Sequence, residues 1–296
     1  MKLRSKLLLS ATCLLTISVA ATATSAYAWF VSNRQASVAI SQADVKTNAT
    51  NLYIKGVGDT LSGGDTVSFA ATDKSHEVSG GVSEKIKATD ISGDGKNFFK
   101  PKLDPNFLTN GMATVIESVS NSTKDSTYYY HQFRFVFTQS NNSVNTGVYF
   151  GKGSTLSSSK ITSINPSLRA SFLVGDTVKL LWAPNGIAGQ THYLKKATNS
   201  SAQIQKVGEK ALSGDHLGAI ADLKYQETPT TDINDKNTIT EKSNSKYLLG
   251  QLNTSNQSLE VTVRVWFEGM DSACTTGNIA SDVAASLNFY GVNMDN

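Results

Sequence analysis

Two stretches of strict alternation constrain this chain more than anything else in it. In residues 259–267, Leu259, Val261, Val263, Val265 and Phe267 alternate with Glu260, Thr262, Arg264 and Trp266. In residues 128–138, Tyr129, His131, Phe133, Phe135 and Phe137 alternate with Tyr130, Gln132, Arg134 and Val136. A period of two is the signature of a β-strand that buries one face. A helix of the same residues would scatter the apolar side chains around its axis. Such a strand needs a second layer against its apolar face, so Phe135 and Val263, central in the two runs, are expected in a core.

Shorter runs repeat the pattern. Residues 37–40, 51–55 and 66–70 read as early strands, and 146–150 as a hairpin partner of 128–138 across the turn 140–145. Leu168, Ala170, Phe172 and Val174 line one face of another strand. Gly175-Asp176 turns the chain into 177–182, which Pro184-Asn185-Gly186 ends. Val283, Ala285, Leu287 and Phe289 mark a last strand over 282–290. Residues 56–64 and 79–97 are glycine-punctuated and read as loops. The stretch of about 189–256 is polar with poor periodicity and reads as a long insertion, with a short helix across 211–225. Many short strands with one buried face each imply an all-β fold, an antiparallel β-sandwich of jelly-roll type with long polar loop insertions.

Ahead of that domain stands a leader. Lys2, Arg4 and Lys6 form a positive segment, residues 7–21 are apolar but for small hydroxyl residues, and Ala26 and Ala28 occupy the small positions of an A-x-A cleavage site. This is the pattern of a secretory signal peptide, expected to form a signal helix and to be cut between Ala28 and Trp29. An uncleaved anchor is the alternative, although the apolar run falls short of the ~20 residues that span a bilayer. The chain thus divides into a signal peptide, 1–28, and a single domain, 29–296.

Charge and cysteine narrow the class of function. Three of the 27 basic residues lie in the leader, so 24 basic residues face 24 acidic ones in the remainder. A net-neutral domain carries no footprint for nucleic acid; the membrane is met only through the leader before cleavage, and weak self-repulsion suits association with copies of itself. Cys13 falls in the leader and Cys274 is the sole cysteine after it. No internal disulfide is then available, and Cys274 is expected half-buried in a turn.

The junction A-T-S-A-Y-A-W-F-V-S-N-R-Q-A-S-V, within residues 7–38, resembles those handled by SipW-type signal peptidases of Gram-positive bacteria. The carriers it is similar to are the secreted matrix-fibre proteins of the TasA/camelysin family. W-A-P-N (182–185) and R-V-W-F-E-G-M-D-S-A-C (264–274) look like stretches of clostridial proteins that bear the same leader. The resemblance implies the same sandwich, a SipW-type signal peptidase as processing partner, and a place in the biofilm matrix.

It also raises the question of zinc, because camelysin-like proteins have been labelled metalloproteases. Zinc hydrolysis needs about three ligands and an activated water. His76, His131, His192 and His216 are nowhere closer than 24 positions and none lies in H-E-x-x-H. No G-x-S-x-G elbow is present, and Cys274 has no histidine near it in sequence. Asp90 and Asp94, with Ser92 between them and Gly95 after, resemble the opening of a calcium loop, but Pro101 stands where the bidentate Glu belongs. Glu268 and Asp271 form a second weak candidate for structural calcium at a strand end. Tyr128, Tyr129 and Tyr130 with Trp182 and Trp266 suggest a sugar platform, against the commoner use of strand aromatics as core.

These readings converge on a secreted, non-enzymatic structural protein of the cell surface or extracellular matrix, self-associating or fibre-forming, with no catalytic residue and no cofactor beyond such calcium. The alternatives are an adhesin for carbohydrate or host protein and, below it, a secreted hydrolase. Residues 29–40, with Trp29, Phe30, Val38 and Ile40 as anchors, are the candidate assembly strand, pairing with a sheet edge of the next subunit. The competing reading makes them the first strand of their own sheet.

Overall fold

The computed structural model describes side chains for residues 52–55, 91–99, 129–139, 141–158, 162–190, 225–231, 245–274 and 283–295. It gives backbone strands alone at 36–38, 40–47, 56, 66–70, 86–88, 100–103, 114–119, 192–196 and 202–206. In chain order the first strands are β1 (Ala36–Val38), β2 (Ile40–Thr47), β3 (Leu52–Gly56), β4 (Thr66–Ala70), β5 (Ile86–Ala88) and β6 (Ser92–Gly93). Then come β7 (Phe98–Leu103), β8 (Thr114–Val119), β9 (His131–Gln139), β10 (Thr146–Phe150), β11 (Thr155–Ser158) and β12 (Leu168–Val174). The last are β13 (Thr177–Trp182), β14 (His192–Lys196), β15 (Ala202–Lys206), β16 (Leu248–Leu252), β17 (Ser258–Phe267) and β18 (Val283–Asn293). Among the described residues, helical structure is limited to short 3-10 turns such as Thr162–Ser167.

The fold is all-β, and its sheets are mostly antiparallel. A five-stranded sheet runs β13-β12-β17-β9-β3, and a six-stranded one runs β16-β10-β18-β2-β4 with β11 beside the first half of β18. The register of the first follows from the alternation. Val261 faces Phe135 and Val263 faces Phe133 across β17 and β9, which puts both apolar sets on one side. That side meets the apolar side of the other sheet in a single core. Phe289 of β18 lies 5.4 Å from Phe135, 4.9 Å from Phe137 and 6.2 Å from Phe172, in tilted or edge-on geometry. Phe150 packs edge-on against Trp182 at 4.9 Å. Phe135 and Val263 are fully buried, as their positions predict, and each such side chain contributes roughly 1.5–3 kcal/mol of burial. Cys274 joins the core and is more deeply buried than a turn residue was expected to be.

Several expectations need correcting. β10 does not pair with β9: it lies between β16 and β18 in the other sheet. The chain crosses from one layer to the other at the turn, because each strand's apolar face must look inward from its own side. Among the described strands one pairing is parallel, β2 on β18. The span 79–97 includes β5 and β6, and the polar span 189–256 supplies β14, β15 and the edge strand β16. The helix expected across 211–225 falls outside the described residues, apart from Tyr225.

Candidate functional site

The five-stranded sheet has a second buried face. Its outward positions are Arg169 and Ser171 on β12, Trp266 and Arg264 on β17, and Gln132 on β9. Register sets Arg169 opposite Trp266, and Ser171 opposite Arg264, which faces Gln132. Over them lies residues 91–99, where β6 and β7 form a three-stranded sheet with β8. Ile91, Phe98, Tyr130, Leu173, Val178, Leu181 and Trp266 make a small apolar cluster between the layers. Phe98 stacks on Tyr130 at 4.7 Å and meets Trp266 edge-on at 5.0 Å. The aromatic residues considered as a sugar platform, Trp182 and Trp266, are both fully buried.

The covering layer approaches closely because it turns at Gly95. There φ is +86°, which favours glycine, and an added Cβ would sit 2.6 Å from Leu181 Cδ2 and 2.7 Å from Ser171 Cβ. Ser171 Oγ donates to the Gly95 carbonyl at 2.7 Å, and Arg264 donates to the Lys96 carbonyl at 2.6 Å and to Gln132 Oε1 at 2.7 Å. Asp94 closes the turn: its Oδ1 accepts from the backbone of Lys96 (2.8 Å) and Asn97 (2.6 Å), and its Oδ2 from the Asn97 amide (3.0 Å).

At one end of this face sits a polar centre. Arg169 and Asp271 are both 0 % exposed and pair at 2.6 Å. Arg169 Nε also donates to Gln190 Oε1 at 3.0 Å, its Nη1 donates to the Pro166 and Leu168 carbonyls, and its guanidinium lies 5.2 Å from the centre of the Tyr225 ring. A buried ion pair is sustained by hydrogen bonds to its remaining donors and acceptors, and here every guanidinium nitrogen and both carboxylate oxygens have a partner. Asp271 Oδ1 takes the Ala273 amide at 2.9 Å.

Glu268 lies two residues beyond Trp266 and is wholly enclosed. Its Oε2 accepts from Trp266 Nε1 at 3.1 Å and its Oε1 from the Met270 amide at 3.1 Å. Burial pushes its carboxyl up to about 7, against the opposing pull of hydrogen bonds from Ser92 and Trp266, the Arg169 charge and the Met270 amide. Burial, then the Glu268 charge, raise the Tyr225 hydroxyl well above the ordinary tyrosine range. Gln190 lies close to that hydroxyl, yet no hydrogen bond of normal geometry forms. On β9, burial lowers His131 to about 4, so its imidazole is neutral at pH 7.

A carboxyl that titrates near 7 has the strength wanted for proton transfer. Glu268, however, has no exposed surface, and both its oxygens hold partners.

Of the sequence candidates, Glu268 and Asp271 come together on one turn beside Arg169, and Asp94 is near enough that its charge also raises Tyr225. Asp90, Ala28, Trp29 and Phe30 lie outside the described residues. Val38 stands in β1 opposite Ile86, and Ile40 opens β2 opposite Val283, both within the chain's own sheets. Among the described residues no group of three or more His, Cys, Asp or Glu is placed to hold a metal. Arg169, Gln190 and Tyr225 escaped the sequence reading. The available signal was Arg169 itself, a charge inside the apolar run of β12. Against this geometry, no protein-family model, no curated protein and no solved structure matches the chain.

Proposed function

We propose that this chain is a secreted, non-enzymatic structural subunit of the cell surface or extracellular matrix, similar to the TasA/camelysin proteins and built as a jelly-roll sandwich behind a signal helix. A SipW-type peptidase removes residues 1–28, and the mature subunit associates with copies of itself.

The observation that carries this reading is the position of β2, the first long strand among the described residues. β2 follows the leader closely and lies inside the six-stranded sheet, parallel to β18 on one side and antiparallel to β4 on the other. A terminal strand in such a slot can exchange with the same strand of a neighbour while conserving every main-chain hydrogen bond, and a head-to-tail exchange propagates as a fibre. Val38 and Ile40, already paired within their own chain, would then form the same pairs in the next subunit. Trp29 and Phe30, freed by cleavage, would set the register. The polar centre supports a structural role too, since its ionised groups are committed to one another.

The test compares secreted protein with a variant lacking residues 29–34, by electron microscopy and by thermal unfolding. Fibres lost while the thermal transition stays intact are expected. Fibres that persist, or a fold that collapses, count against strand donation. A wild-type protein that stays monomeric and captures a glycan would replace the proposal with the adhesin.

A further inference from the structure

At the end of the molecule where β9 gives way to β10, polar atoms are buried without partners. Five side-chain nitrogen or oxygen atoms are buried with no hydrogen bond among the described residues, and three belong to the end of β9 and the turn 141–145: Gln139 Oε1, Asn142 Oδ1 and Asn145 Oδ1. Leaving such an atom unmet is costly, so three in one turn call for a physical occupant.

Gln139, Asn145 and Asp295 are stitched into one neighbourhood, and Asn142 stands in the turn between the first two. Gln139, at 8 % exposure, donates through Nε2 to the Val144 carbonyl at 2.9 Å. That bond fixes which end of its amide is oxygen, and it holds Oε1 beside the peptide joining Val144 to Asn145. The Asn145 amide donates to Asp295 Oδ2 at 2.7 Å, and the Met294 amide donates to the Asn145 carbonyl at 2.8 Å. A carboxylate from near the C-terminus is therefore folded onto the same turn. Asn293 Oδ1 steadies it by accepting from the Asp295 amide at 2.9 Å.

The chemistry of the unmet set is one-sided, because all three atoms are acceptors. A water molecule donates two protons at most, whereas a hard cation draws six to eight oxygens, amide carbonyls and carboxylates among them. We infer that the turn 141–145, with Gln139 at the end of β9 and closed by Asp295, binds a calcium ion through Gln139, Asn142, Asn145 and the Asp295 carboxylate, with water completing the shell. Magnesium fits less well, since it demands a near-ideal octahedron and dehydrates reluctantly. One carboxylate among neutral amides places the affinity at the weak end, about 10⁻⁴–10⁻³ M, the range of extracellular modules. The site is separate from Asp94, Glu268 and Asp271, whose oxygens have partners, and it does not depend on how the subunit assembles.

The experiment measures calcium uptake by the secreted chain in equilibrium dialysis, and thermal unfolding in calcium, magnesium and sodium chloride at matched ionic strength. One bound calcium per chain is expected. At a calcium concentration about ten times Kd, the folding equilibrium constant should rise about tenfold. Asp295→Asn retains an acceptor for the Asn145 amide, so it should fold and bind at least tenfold more weakly; Asn142→Leu should do the same. Asp176→Asn, at an exposed surface pair with Lys96, should leave binding unchanged. Absence of uptake overturns the inference, as does uptake undiminished in both site variants, or equal stabilisation by magnesium or sodium. If a variant does not fold, the wild-type stoichiometry and ion selectivity still decide.

Discussion

The two faces of the five-stranded sheet are buried to a similar depth by opposite means. Between the sheets lie Phe135, Phe137, Phe150, Phe172, Trp182 and Phe289, rings whose attraction depends little on direction. On the outer face the largest enclosed groups include Arg169 and Trp266, held with Asp271, Gln190 and Glu268 by bonds of fixed geometry. The inner face is stabilised by area and volume, the outer by completeness. An apolar core loses stability in proportion to what is removed, while a polar centre fails when any one partner is removed.

The sharpest way to break the comparison is to place the outer chemistry on the inner face. Val263→Asp sets an unpaired charge among rings and should cost more than about 5 kcal/mol. That is comparable to the whole stability of a domain, so little soluble protein should be recovered. A well-folded variant with a near-native melting profile would mean that the face is misassigned.

Removing one partner from the outer centre comes next. Arg169→Ala leaves Asp271 charged and enclosed and should cost about 3–5 kcal/mol, while Arg169→Met with Asp271→Leu should recover most of the loss. Urea unfolding of the single and double variants checks this; equal losses in both would remove the distinction between completeness and area. Phe135→Ala should cost a similar ~3–5 kcal/mol by leaving a cavity, without rescue by a second truncation, because voids add.

The pH dependence sharpens the contrast further. Glu268 is raised to about 7 from 4.5, so the folded state holds its proton more tightly, and this group's contribution falls as pH rises between those values. His131 is lowered to about 4 from 6.5, and its contribution is lost as pH falls across that window. Each amounts to roughly 3 kcal/mol, with opposite sign, so in the wild type the two nearly cancel between about pH 4.5 and 6.5. Glu268→Gln should expose the histidine and make the protein acid-sensitive. His131→Phe should expose the glutamate and make stability rise on acidification. Profiles of both variants parallel to wild type, from urea midpoints across that range, would refute the assignment.

The smallest effect belongs to the uncovered part of the same outer face. Arg134 and Glu260 pair at 2.9 Å with both side chains part-exposed, and Glu260→Gln should change stability by less than about 1 kcal/mol. A loss as large as that of Arg169→Ala would show that burial is not what separates the two pairs.

The sequence by itself determined what is local. Alternation fixed the inward faces of β9 and β17, because a strand's side chains point by turns to either side whatever the strand pairs with. Gly175-Asp176 fixed the β12–β13 hairpin, and the short apolar runs fixed a fold of strands. Only the tertiary structure decided what lies far apart in sequence. It placed β10 across the core from β9, set β2 parallel to β18, and recruited β16 from a polar stretch. β7 carries Pro101 within a lysine-flanked run and reads poorly as a strand, yet it pairs with β8. Arg169 stands at an outward position of β12, yet Gln190, Tyr225 and Asp271 of the 268–274 turn enclose it. Side-chain period is a property of one backbone segment, whereas burial of a strand's second face depends on distant segments covering it, and no local pattern records which ones will.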